Sequence, residues 1–139
     1  MERKIVLASH HRFADGLRDT VEFITGGLSK KRIITLTAYL DNTPIEENVE
    51  KLMEDFPNTT EVIVLTDMMA GSVNQTFFSY RSREHTHIVS GMNLPLTLAF
   101  VMESQEDYLT NKRVREIVAE AQQSVVYIND IRIGDDDDE

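Results

Sequence analysis

Apolar residues in this chain fall into short unbroken runs, separated by stretches where they recur every three or four positions. Ile5-Val6-Leu7-Ala8 lies in a predicted strand at 4–9, and four apolar residues in a row mark a strand buried on both faces of a parallel sheet. Residues 14–25 predict a helix with Leu17, Val21 and Ile24 on one face, stopped by Gly26-Gly27. A second strand, with Ile33, Ile34 and Leu36, is predicted at 32–37. Thr43 then caps, and Pro44 opens, a helix running to Phe56 with Glu46 and Glu47 in its first turn. Pro57-Asn58 ends it, and Val62-Ile63-Val64-Leu65 fills a third buried strand at 61–66. A loop at 67–71 leads to a short helix capped by Ser72 and reaching Tyr80. A shorter fourth strand is predicted at 85–90, after which Gly91-Met92-Asn93-Leu94-Pro95 turns into a helix at 96–102. A last helix at 111–123 points Val114, Ile117, Val118 and Ala121 inward.

Strand–helix units in succession define an α/β fold. The expected architecture is a doubly wound, four-stranded parallel sheet of order 2-1-3-4, with right-handed crossovers and helices on both faces. Residues 1–133 read as a single domain without internal repeat or linker. The segment 124–133 breaks the alternation: Val125, Val126, Tyr127, Ile128, Ile131 and Ile133 predict a strand that follows a helix. It is expected to extend the sheet edge or to pair with another subunit, because an open apolar strand aggregates.

Composition narrows the function classes. A chain of 139 residues suffices for one core, and its 41% hydrophobic and 27% charged residues are ordinary for a soluble globular protein. No apolar run is long enough to span a bilayer, and Met1-Glu2-Arg3-Lys4 leads straight into a strand, so neither membrane insertion nor a signal peptide is expected. Cysteine is absent, which removes disulfides and thiolate metal sites and fits a cytoplasmic protein. The formal net charge of -10 argues against nucleic acid as a partner and suits one with a basic docking face. Within 134–139, Asp135-Asp136-Asp137-Asp138-Glu139 is a self-repelling run expected to be disordered.

His10 stands at the carboxyl end of the first strand, just before a helix, where open α/β sheets bind ligands. Neutral imidazole is a competent nucleophile, although a solvated loop histidine is the plain alternative. Asp67 occupies the same point on the third strand. In the order 2-1-3-4 those strands are neighbours at the switch point, so the two side chains are expected to meet across one crevice. A carboxylate accepting from one imidazole nitrogen fixes the tautomer and leaves the other nitrogen's lone pair exposed. Gly71 allows close backbone approach, and Ser72 begins a helix whose N–H groups favour an anion. With Ser9 and Thr66 at the strand ends, these residues form the expected phosphoryl-binding set. His11, Phe13, Met69, Asn93 and Leu94 are expected on the crevice rim.

Three stretches, each at a strand end, carry a family resemblance when taken together. Ser9-His10-His11-Arg12-Phe13-Ala14-Asp15-Gly16-Leu17 is similar to a strand end in which a phospho-accepting histidine is followed by Gly, an aromatic and Ala, with His11 in the glycine's place. Asp67-Met68-Met69-Ala70-Gly71-Ser72-Val73, with Asn74, is similar to Asp-x-x-Gly-Gly-Ser-Pro with a nearby Asn. The third, Gly-x-Asn-Leu-Pro, is intact at 91–95. Over residues 4–128 the chain thus resembles the enzyme IIA component of the mannose-family (mannose/fructose/sorbose-type) phosphoenolpyruvate-dependent sugar phosphotransferase system.

The resemblance implies that His10 accepts a phosphoryl group from the HPr phosphocarrier and passes it to the enzyme IIB component. Asp67 would orient His10, and Gly71 and Ser72 would hold the phosphoryl oxygens. It also implies a cytoplasmic homodimer whose C-terminal strand is swapped between subunits, which gives 124–133 a home. Donor and acceptor are both phosphoramidates, so no metal or other cofactor is expected. His11 in place of glycine could crowd the docking surface or compete as acceptor, and Ala70 and Val73 alter the loop. Other readings stay open. One is a free-standing regulatory paralogue signalling through the same histidine. Another is a hydrolase using Ser9 or Ser72 with His10 and Asp67, although no Gly-x-Ser-x-Gly elbow occurs. A third is a metal-binding or sensory module built on His10, His11, His85 and His87.

Overall fold

The apolar runs all become strands of one sheet. The computed structural model describes residues 1–133; the acidic run at 134–139 lies outside them. The strands are β1 (Arg3–His10), β2 (Ile33–Ala38), β3 (Glu61–Thr66) and β4 (Thr86–Ser90). The helices are α1 (Phe13–Ile24), α2 (Ile45–Glu54), α3 (Ser72–Phe78), α4 (Leu94–Met102) and α5 (Asn111–Gln122). The sheet runs β2-β1-β3-β4 and every pairing is parallel, the order and hand of ladder expected from the sequence. Ala8 pairs with both Leu36 and Thr66, and Thr66 with Ser90, so all four carboxyl ends reach the same edge.

The two faces of the sheet divide the core. Ile5, Leu7, Ile63 and Leu65 point to one side, where Val21 of α1, Phe100 of α4 and Ile117 of α5 close over them. Val6, Ala8, Val62 and Val64 point to the other, against Val49 of α2 and Phe77 of α3. All six positions of β3 are buried, which is why its sequence shows a solid apolar run rather than alternation. Gly26-Gly27 ends α1 as the sequence predicts: Gly26 takes φ +63°, and the Gly27 N–H reaches back to the Glu22 carbonyl at 2.9 Å.

At the amino ends of the strands, Arg3 and Glu61 form a buried ion pair, Arg3 Nε donating to Glu61 Oε1 at 2.5 Å. The remaining guanidinium donors go to the carbonyls of Ser104 and Asp107 at 2.7 and 3.0 Å. Glu61 Oε2 accepts the Leu109 N–H at 2.7 Å. The pair thereby fastens the α4–α5 connection under the sheet.

Three local expectations are corrected. Pro44, not Thr43, is the cap of α2; Thr43 instead donates its N–H to Asp41 Oδ1 at 2.8 Å in the preceding turn. Ser72 does not cap α3 but is its first residue, with Gly71 in the cap position. Residues 124–133 form no strand within the chain; Ile128–Asp130 is a 3₁₀ turn flanked by extended residues. A strand needs a partner ladder, and among the described residues this segment pairs with neither edge of the sheet.

Candidate functional site

The site grows from the register of β1 on β3. Ala8 lies beside Thr66, so His10, two positions on, and Asp67, one position on, come to the same edge of the sheet. One carboxylate oxygen, Asp67 Oδ2, accepts the His10 backbone N–H at 2.7 Å and meets His10 Nδ1 at 2.7 Å. The other, Oδ1, accepts the Met68 N–H at 3.0 Å. Burial works to raise the Asp67 pKa, but the hydrogen bonds from the His10 backbone and ring, the electrostatic attraction of His10 and the Met68 N–H together outweigh it and hold the carboxyl below its ordinary value. An ionised carboxylate has no proton to give, so in the neutral imidazole the hydrogen sits on Nδ1 and Nε2 is left with its lone pair. The Asp67 side chain is 12% exposed and that of His10 41%, so the carboxylate is sheltered while the ring reaches solvent.

Gly71 shapes the far side of the ring. Its backbone is ordinary, with φ at −85°, but a Cβ there would stand 3.0 Å from His10 Cε1 and 3.0 Å from Met68 Cγ. Glycine suits the position because any Cβ would crowd the imidazole. Asn74 fixes that loop: its Nδ2 donates to the Met69 carbonyl at 3.2 Å, and its Oδ1 accepts from Thr66 Oγ1 at 2.8 Å. Next along, the Ser72 hydroxyl is hydrogen-bonded to the Tyr39 hydroxyl.

The remaining sequence-predicted residues sort into three groups. Ser9 and Thr66 are fully buried beneath the crevice, so their side chains have no surface to offer a phosphoryl group. Ser9 Oγ accepts the Ala14 N–H at 2.8 Å and so secures the start of α1, while Thr66 supports Asn74. Asn93 caps α4 through the Leu96 N–H at 2.9 Å, and Leu94 packs against the core beneath. His11 and Met69 are exposed on the loops after β1 and β3, and Phe13 is exposed as the first residue of α1. His11 takes φ +52°, donating its N–H to the Ala38 carbonyl at 2.8 Å. Left-handed backbone explains why glycine suits this position, and histidine is among the side chains that tolerate it.

Sequence reasoning missed Tyr39, Leu40 and Met68. All three are exposed apolar residues on the loops that follow β2 and β3. Tyr39 has its ring centroid 5.4 Å from that of His10. No pattern around Tyr39 marks it; only the adjacency of β2 to β1, predicted by the topology, could have drawn attention to its turn. Neither Ser9 nor Ser72 hydrogen-bonds to His10 among the described residues, so the Ser–His contact a hydrolase needs is missing there. His85 stands at the opposite edge of the sheet, before β4, with its ring stacked on Tyr108 at 3.6 Å between centroids.

A doubly wound parallel sheet with a carboxylate-oriented histidine at its switch point defines a class of α/β domain that presents one imidazole nitrogen to solvent. Residues 4–128 match the family described as the PTS system fructose IIA component, and the chain belongs to that family. Among solved structures, one from Klebsiella pneumoniae subsp. pneumoniae, described as a phosphoenolpyruvate-dependent sugar phosphotransferase system permease, is 40% identical. That match covers 94% of this chain and 93% of the other, with a TM-score of 0.86. The PTS IIA protein associated with the fucose utilization operon of Streptococcus pneumoniae is 29% identical, covering 93% and 95% of the two chains with a TM-score of 0.75. The mannose/sorbose specific IIA subunit from Enterococcus faecalis is 18% identical and shares the fold, with a TM-score of 0.76 over 97% and 98% of the chains. Among the described residues no helix is long and apolar enough to cross a membrane.

Proposed function

We propose that this protein is a cytoplasmic phosphoryl carrier of a mannose-family sugar phosphotransferase system, with His10 as the phosphoryl acceptor. The observation that supports this most strongly is the double engagement of Asp67 Oδ2 by the His10 N–H and by Nδ1. It anchors the ring at both ends and directs Nε2 outward. The phosphohistidine of HPr docks over the crevice, and the Nε2 lone pair attacks phosphorus in line. The donor P–N bond breaks, and its electron pair returns to the HPr imidazole. Each ring keeps its other N–H, so no proton is gained or lost. The Ser72 hydroxyl and the backbone at Gly71 stabilise the equatorial oxygens, and Asp67 balances the charge of the phosphorylated ring. Transfer to enzyme IIB repeats the step in reverse. Phe13, Leu40, Met68 and Met69 provide an apolar rim on which both partners dock in turn.

The same reading takes the protein to be a homodimer. Strand β4 is an edge of the sheet, and the groove beside it is lined by Val89, Val114, Val118 and Ala119. An extended segment with the exposed side chains of Val125, Tyr127, Ile128 and Ile131 suits such an edge in a partner subunit.

Phosphorylation with phosphoenolpyruvate, enzyme I and HPr tests the assignment. Acid-labile label is expected on the wild type and on His11→Ala, and none on His10→Ala. Label that survives His10→Ala but is lost in His11→Ala would move the acceptor to the neighbouring histidine and overturn the proposal.

A further inference from the structure

We infer that Tyr39 is a positioning residue of the phosphoryl site, acting through the Ser72 hydroxyl; the inference rests on the reading of His10 as the acceptor. Tyr39 follows the last residue of β2, at the sheet edge that carries His10. Its backbone is left-handed, with φ +67°, a conformation that a bulky aromatic residue adopts only when its surroundings hold it there. Glycine would occupy that position without strain. Yet the side chain is not buried in the core: it is 53% exposed, so hydrophobic packing is not what holds it. Two contacts tie it to the site. Its ring lies 5.4 Å from the His10 ring at an interplanar angle of 34°, and its hydroxyl is hydrogen-bonded to Ser72 Oγ.

The chemistry of that hydroxyl pair sets the role. A serine hydroxyl has one proton, and in the unphosphorylated site either oxygen can donate to the other. Ser72 adjoins Gly71, which approaches His10 so closely that a Cβ there would stand 3.0 Å from Cε1, the ring carbon bonded to Nε2. When an anionic phosphoryl group arrives on Nε2, it is the strongest acceptor present. Ser72 turns its proton to a phosphoryl oxygen, and Tyr39 donates its own proton to Ser72 Oγ. The result is a chain of two hydrogen bonds from the phenol to the phosphoryl group, each polarising the next. Tyr39 gains and loses no proton. In the transfer itself the His10 Nε2–P bond forms as the donor P–N bond breaks, and the pair of hydroxyls only orients and shares charge.

Single-turnover transfer from phospho-HPr tests this in wild type, Tyr39→Phe, Ser72→Ala and the double variant. Tyr39→Phe keeps the ring and removes one hydroxyl, so its melting temperature is expected to match the wild type. Its maximal transfer rate is expected to fall roughly five- to tenfold, the size of one orienting hydrogen bond, with the KM for phospho-HPr unchanged. In the Ser72→Ala background the same substitution is expected to do nothing further. A Tyr39→Phe rate equal to wild type, a change confined to KM, or effects that multiply in the double variant would each overturn the inference while leaving His10 as acceptor. Failure of wild-type His10 to take label would remove the functional reading, and this inference with it.

Discussion

At Gly71 the constraint is space rather than backbone freedom. Two groups stand 3.0 Å from where a Cβ would be, and they differ in how easily they give way. Met68 is a flexible, exposed side chain and can swing aside. The imidazole gives way only at the expense of its contact with Asp67 Oδ2, which engages both Nδ1 and the His10 backbone N–H. Gly71→Ala is therefore expected to leave the fold intact and to press the ring out of line, lowering the rate of His10 labelling on the order of tenfold, because in-line attack is sensitive to small misplacements. Asp67→Asn acts on the tautomer instead. An amide oxygen can accept from only part of what the carboxylate engages, and labelling is expected to fall roughly a hundredfold. The same substitution alters the pH dependence of stability. The folded pKa of Asp67 lies below its ordinary value of 3.8, so its contribution is complete above that value and is lost as pH falls through the lower folded pKa. In melting curves taken below about pH 4, the acid-side decline should be shallower in Asp67→Asn than in the wild type. His10 and Asp67 were legible in the sequence because each follows a solid apolar run with a single hydroxyl residue, Ser9 or Thr66, between. Tyr39 was not, because its importance lies in a turn conformation and in a partner across the sheet edge.

Among the elements, β1 and β3 matter at both ends, with opposite consequences. Their carboxyl ends hold His10 and Asp67; their amino ends hold Arg3 and Glu61, both buried. Glu61→Gln would leave the Arg3 guanidinium buried beside a neutral amide and weaken the tie to the Leu109 N–H. A loss of about 3–5 kcal/mol in unfolding free energy is expected, measured by urea denaturation, in line with stranding one member of a buried ion pair. Replacing the pair together, as Arg3→Met with Glu61→Leu, should recover much of that loss, because desolvation then falls on neither side. Neither residue touches the site, so the rate of His10 labelling should hold for as long as the protein stays folded. Strand identity, order and helix placement were readable because apolar periodicity and the Gly and Pro stops coincide. The caps were less so. Thr43 and Ser72 look like caps by residue type, yet a turn at Asp41 and the approach of Gly71 to His10 each shift the helix start by one position. The buried ion pair was invisible in advance, since charged residues at strand starts usually face water.

For the whole molecule, the unresolved tension lies between one chain and two. Val125 is 85% exposed and Ile133 98%, in a segment whose residue types favour a strand. In a single chain these side chains have nothing to cover them, while β4 offers an unpaired edge beside a groove lined by Val114 and Val118. The sequence showed the strand tendency of 124–133 but not its pairing, because local periodicity carries no mark of which edge a strand would join. If the two needs are met by exchange between subunits, folding and association become one equilibrium. Stability must then rise with protein concentration by about 1.4 kcal/mol of dimer for each tenfold increase, which for a chain of this size moves the melting temperature by a few degrees. Removing residues 124–139 deletes the exchanged segment while leaving the site loops untouched. The truncated chain is expected to be monomeric by sedimentation, to melt lower, and to lose the concentration dependence, while β4 becomes an open edge that promotes aggregation. A full-length protein that sediments as a monomer, with a melting temperature independent of concentration, would show that the apolar segment answers to some other surface than a second copy of this chain.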